Sequence, residues 1–105
     1  MQKVVETIPE TVTPAAVSFA QEQGLTESLM RAKELVRQAI PFLRALSVDL
    51  EEDPDEGGYP HLRFRITVAE SVERVLELND ALERAFCAQI PAGQRMLLSY
   101  TYEFQ

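Results

Sequence analysis

The sequence predicts an α+β fold: a two-layer sandwich with helices on one face of a three-stranded antiparallel sheet in strand order 2-1-3. Three observations carry it. Leu46, Val48 and Leu50 alternate with Ser47, Asp49 and Glu51. Leu62, Phe64, Ile66 and Val68 alternate with Arg63, Arg65 and Thr67. Met96, Leu98, Tyr100, Tyr102 and Phe104 alternate with Leu97, Ser99, Thr101 and Glu103. Successive strand side chains point to opposite faces, so each run has one buried and one wet side. The wet side is polar in all three, which leaves room for helices on the other side only.

The elements follow in order. Residues 1–12 have no convincing period. Val4, Val5 and Ile8 could start a strand, but Pro9 stops it, and 1–12 read as a flexible N-terminal tail before a single α+β domain at 13–105. A strand over 3–8 would give the element order of a ferredoxin-like fold, held as a variant. Thr13-Pro14 reads as an N-cap with proline at the first helical position. That helix runs through Ala16, Phe19 and Ala20 to about Gln23, and Gly24 stops it. Thr26 caps a second helix to Ile40, with Leu25, Leu29, Ala32, Val36, Ala39 and Ile40 on one face, and Pro41 ends it.

The first two alternating runs form a hairpin closed by Glu52-Asp53-Pro54-Asp55-Glu56-Gly57-Gly58, a polar stretch unfit for a strand. Asp49 and Glu51 then lie against Arg63 and Arg65 and help to set the register. Ser71 caps a third helix to about Ala88, with Val72, Val75, Leu78, Leu82 and Phe86 as its apolar stripe. Glu70–Arg74 and Asp80–Arg84 are placed for i, i+4 pairing. Pro91-Ala92-Gly93 breaks the chain before the last strand. The strand–helix–strand crossover from Val68 to Met96 is expected to be right-handed.

Composition bounds the function. At 105 residues there is material for one modest core. No run of apolar residues is long enough for a membrane span. The start, Met1 to Glu6, has no apolar signal region, and Cys87 stands alone, so a cytoplasmic protein without disulfides is expected. The formal charge is −7. Residues 1–44 hold five basic and five acidic residues, whereas 45–105 hold five basic and twelve acidic ones. Such a half repels a phosphate backbone and suits a basic protein partner, or simply keeps the chain soluble.

Chemistry-bearing residues are sparse. His61 is the only histidine and has no nucleophile motif beside it. Cys87 sits at the border of an apolar stripe and is expected partly buried. Asp53, Asp55 and Gly58 match positions 1, 3 and 6 of a calcium loop, but Gly57 and Phe64 stand where acids belong. Ala20 and Gly24 have the spacing of a helix-turn-helix over 14–40, which would present Thr26, Glu27, Ser28 and Arg31 to DNA. Gln23 and Lys33 fall where that motif wants apolar residues, and DNA readers carry a basic footprint. No phosphate loop, catalytic carboxylate pair or zinc spacing occurs, so neither an enzyme nor a cofactor is expected.

One resemblance can be stated. Ile40-Pro41-Phe42-Leu43 running into Leu46-Ser47-Val48-Asp49-Leu50, then Asp53-Pro54-Asp55, Leu62-Arg63-Phe64-Arg65-Ile66 and Ser71-Val72-Glu73, resembles a family of short uncharacterised prokaryotic α+β proteins over about residues 15–104. That family has no known activity to carry over. The resemblance implies a small accessory protein paired with a neighbour in the manner of an antitoxin or immunity partner.

The expected function is therefore an acidic, non-enzymatic protein-interaction module, homodimeric or the partner of a basic protein. The surfaces expected to carry it are Tyr100, Tyr102 and Phe104 on the last strand, and Glu52, Asp53, Asp55 and Glu56 in the acidic loop. A helix-turn-helix regulator and a small-ligand or metal sensor using Asp53 and Asp55 are the alternatives.

Overall fold

The structure is a computed structural model that describes residues 8–52 and 59–105. Its elements are β1 (Glu10–Val12), α1 (Pro14–Glu22), α2 (Thr26–Ala39), β2 (Leu43–Glu51), β3 (His61–Val68), α3 (Val72–Gln89), the single turn α4 (Ala92–Arg95) and β4 (Leu98–Phe104).

Local chemistry explains most boundaries. The Thr13 hydroxyl accepts from the Ala16 amide at 3.2 Å, and Pro14 opens α1 with no orphan N–H to satisfy. Gly24 takes φ +68°, a left-handed turn that costs glycine no Cβ clash, so α2 can fold back at once. Thr26 is not the cap expected of it. It is the first helical residue, and Leu25 holds the cap position with no side-chain bond. Ser71 does cap α3, accepting from the Arg74 amide at 3.3 Å, while the Glu70 carboxylate accepts from the Ser71 amide at 2.9 Å. Glu70 is therefore spent on the cap, and Arg74 pairs with Glu77 at 3.0 Å instead.

The hairpin forms as expected. β2 and β3 are antiparallel, with Leu46 against Ile66, Val48 against Phe64 and Leu50 against Leu62. The register slips once between Leu43 and Ala45, leaving Arg44 as the extra residue. That bulge lets Leu43 and Leu46, three apart, both face the core. On the other face Arg63 reaches Glu51 at 3.5 Å and Arg65 reaches Asp49 at 3.6 Å.

The sheet itself differs from the expected three-stranded antiparallel 2-1-3 arrangement. It has four strands in the order β1-β2-β3-β4, and two of its three pairings are parallel. The reason lies in β1. Glu10, Thr11 and Val12 pair in parallel with Leu46, Ser47 and Val48, the edge of β2 assigned to the last strand. Pro9 does not prevent this. Its carbonyl accepts from the Leu46 amide at 3.0 Å, a bond that needs no proline N–H. With that edge taken, β4 lies parallel to β3 along its whole length, from Leu62–Leu98 to Val68–Phe104. The same order excludes the ferredoxin-like variant, whose first and last strands do not flank a central hairpin.

α1, α2 and α3 cover one face. Ala16 and Ala20 of α1, Leu29, Ala32, Leu35 and Val36 of α2, and Val75, Leu82 and Phe86 of α3 enter one core with the inward residues of β2 and β3. α2 and α3 pack side by side there. Two parallel crossovers, β1 to β2 and β3 to β4, step the same way across the sheet on strands of opposite direction. With both on one face they have opposite hands, so one departs from the right-handed preference.

A row crosses all four strands: Val12, Val48, Phe64 and Tyr100. Val48 and Phe64 at its centre are fully buried. Replacing Ser71 with alanine should cost about 1 kcal/mol, whereas Thr26→Ala should change stability by much less, since its side chain caps nothing. Chemical denaturation of the two variants distinguishes them.

Candidate interaction surface

The backbone of β4 is directional. The Leu62 amide donates to the Leu97 carbonyl at 2.8 Å, and the Gln105 amide donates to the Val68 carbonyl at 3.0 Å. The odd residues 97–105 therefore turn their backbone groups toward β3. Leu98, Tyr100, Tyr102 and Phe104 turn theirs outward, along an edge that no strand pairs with among the described residues.

The side chains of those same even residues point to the helical face. Tyr100 stands edge-on to Phe86, with centroids 5.4 Å apart at 67°, and to Tyr102 at 5.9 Å and 77°. The Tyr102 hydroxyl donates to Asn79 Oδ1 at 2.7 Å. Burial pushes both phenols up, and the Glu83 carboxylate adds to it. Tyr102 goes from 10.0 to about 12, and Tyr100 moves in the same direction.

These contacts show which side of α3 borders β4. Val72, Leu76, Asn79 and Glu83 fall at i, i+4, i+7 and i+11, a single stripe. Asn79 and Glu83 engage the tyrosines, so Val72 and Leu76 lie on the same flank, nearer the end of β4. Both are exposed, at 51% and 62%, and Phe104 at the end of β4 is 46% exposed. Val72 was expected in the core stripe. The helix instead buries Val75, Leu82 and Phe86, which lie about a quarter turn away.

The other edge of the sheet is different in kind. β1 has three residues, and the Glu10 carboxylate is held by Lys33 at 3.6 Å and Arg37 at 2.6 Å.

Those pairs also bear on the helix-turn-helix reading. Arg37 and Lys33 are engaged with Glu10, and Arg31 pairs with Glu34 at 3.3 Å. Ser28 is buried and donates to the Gln94 side chain of α4, so it does not face solvent. Thr26, Glu27 and Arg31 are exposed, but the basic groups of α2 already have acidic partners.

The remaining candidates are dispersed. Asp53, Asp55 and Glu56 lie outside the described residues, and Glu52 beside them is exposed. Among the described residues no cluster of three or more His, Cys, Asp or Glu is placed to hold a metal ion. His61 Nδ1 lies 3.2 Å from the Tyr59 carbonyl oxygen. Cys87 is exposed rather than partly buried, because it follows Phe86 by a rotation of about 100° out of the core. An open cleft of about 780 Å³, which sequence reading missed, lies between the start of α2 and α4, with Ser28, Arg31 and Gln94 in its walls. Ser28 and Gln94 on its two walls are 66 residues apart in the chain, and Ser28 in the sequence looks like one more helix residue.

No protein-family model and no curated protein matches the chain. Among solved structures, the copper form of the MamM CTD is 20% identical with a TM-score of 0.48, covering 78% of this chain and 88% of that one. A doubly substituted MamM CTD is 18% identical with a TM-score of 0.38, covering 75% and 93%. Both scores are too low to carry fold or function across. No helix among the described residues is long and apolar enough to cross a membrane.

A phenol held above its ordinary value binds its proton more tightly folded than unfolded. The stability this contributes is complete below pH 10.0 and is lost as pH rises toward 12. Ultraviolet titration should show Tyr102 ionising late, and Glu83→Gln should lower the midpoints of both Tyr102 and Tyr100.

Proposed function

We propose that this protein is a non-enzymatic interaction module that self-associates through the outer edge of β4. The observation that carries the reading is the contrast between the two sheet edges. β1 is short, follows a proline and has its glutamate tied down by two cations, the features that blunt an edge. β4 offers seven residues, with the backbone donors and acceptors of Leu98, Tyr100, Tyr102 and Phe104 pointing away from the sheet. Edge pairing satisfies such groups with another strand, and the alternating side chains then set specificity. Exposed Val72, Leu76 and Phe104 beside it add apolar surface that a partner would remove from water.

A basic protein partner is the second reading. It draws on the excess of twelve acidic over five basic residues in 45–105. Self-pairing is preferred because β4 carries an exposed glutamate at one end and a serine beside an arginine at the other, so two copies reversed are complementary.

Thr101→Pro looks from the sequence like a change that blocks this edge. The structure shows that it would break the sheet, since the Thr101 amide faces β3. Phe104→Pro is the discriminating variant, because its amide faces outward. Analytical ultracentrifugation should find a concentration-dependent dimer for the parent protein. The variant should dissociate at roughly tenfold or higher concentration, with unchanged circular dichroism. A parent that stays monomeric at every concentration would end the self-association reading.

A further inference from the structure

We infer that two copies join antiparallel about a two-fold axis at Thr101, with Glu103 of each accepting hydrogen bonds from Ser99 and Arg63 of the other. This rests on the proposed self-association and specifies its register.

Geometry narrows the choice. Antiparallel partners exchange backbone bonds only where outward-facing residues stand opposite each other. In β4 these are Leu98, Tyr100, Tyr102 and Phe104. An axis at Thr101 sets Leu98 against the second copy's Phe104 and Tyr100 against its Tyr102, and it pairs all seven residues of the strand. Moving the axis to Tyr100 or Tyr102 leaves two residues unmatched at one end of each strand.

The polar face supplies the independent observation. Ser99 and Arg63 are register neighbours on β4 and β3. Ser99 Oγ and Arg63 Nε are buried and have no hydrogen-bond partner among the described residues. Groups of this kind are rare in folded proteins and call for an acceptor. Both are donors, so an anion suits them. With the axis at Thr101, the second copy's Glu103 stands directly opposite Ser99, as a pair whose Cα atoms are only about 4.5 Å apart. Among the described residues Glu103 has a single long ion-pair contact, 3.9 Å to Arg65, and its side chain is 55% exposed. Arg65 keeps Asp49 when Glu103 moves. The two-fold repeats the arrangement, which makes two such carboxylate sites per dimer. On the helical face the axis brings the Val72–Leu76 flank of each α3 to the same seam.

The test uses engineered thiols in a Cys87→Ser background. Thr101→Cys should give a disulfide-linked dimer in oxidised glutathione, because facing Cα atoms at about 4.5 Å lie within disulfide range. Ser99→Cys and Glu103→Cys should not cross-link alone but should do so when mixed. Glu103→Ala, with Cys87 intact, should weaken the dimer roughly tenfold or more, since two charge-assisted sites are lost. A parent dimer whose Thr101→Cys variant fails to cross-link, or whose Glu103→Ala variant dimerises normally, overturns this register and leaves edge pairing standing. A parent that never dimerises overturns both.

Discussion

The fold depends on the pairing of Val48 with Phe64. These two fully buried side chains face each other at the centre of the hairpin, and their row continues to Val12 on one side and Tyr100 on the other. Burying a phenylalanine in this way contributes roughly 1.5–3 kcal/mol. The greater effect is on register. A slip of β3 by one residue would send Phe64 into water and bring Arg63 and Arg65 under the helices. Each outer strand inherits its position from this row. β1 matches Val12 to Val48, and β4 matches Tyr100 to Phe64, where Phe86 of α3 closes over the ring.

Once the hairpin is central, the two outer strands face unequal conditions. β1 has three residues to pair and recruits Lys33 and Arg37 from the helix above it through Glu10, so its edge is tethered by charge. β4 pairs with β3 from Leu62 to Val68 and has no charged residue among its outward-turned positions. The asymmetry follows from the chain: a long aromatic run against a fragment that Pro9 delimits. A mixed sheet built in this way has one tethered edge and one edge that no strand among the described residues pairs with, and Val72, Leu76 and Phe104 lie exposed beside the latter.

Much of this was legible in the sequence, and what was not has physical causes. Alternation located β2, β3 and β4, and capping chemistry located Thr13 and Ser71, because these signals are local. Strand order is not local. It turned on whether three residues after Pro9 could occupy the edge of β2, and a three-residue strand has no detectable period. The right-handed preference could not decide it either, since the two crossovers on one helical face have opposite hands. The bulge at Arg44 was hidden for a similar reason: Leu43 and Leu46 look out of phase until an extra residue is allowed. On α3, Val72 fits the apolar stripe by spacing, yet the helix is rotated so that Val75 and Leu82 take the core and Val72 faces the flank of β4. For the proposed seam, the sequence named Tyr100, Tyr102 and Phe104, and the structure places all three on β4. The flank of α3, and the Ser99 Oγ and Arg63 Nε atoms that have no hydrogen-bond partner among the described residues, needed coordinates.

The aromatic strand admits two readings that first look exclusive, core packing and an interface. They are not exclusive, because a strand presents its side chains and its backbone in perpendicular directions. The rings of Tyr100 and Tyr102 pack against Phe86 and Asn79, which holds β4 flat against the sheet and its backbone in extended form. That rigidity presents the amides and carbonyls of the same residues in an ordered row at the edge. A strand that frayed would lose conformational freedom on pairing with another chain, and the cost would weaken the complex. Here the core contacts have already ordered it. The packing that makes these tyrosines look structural therefore also orders the edge on which the proposed pairing rests.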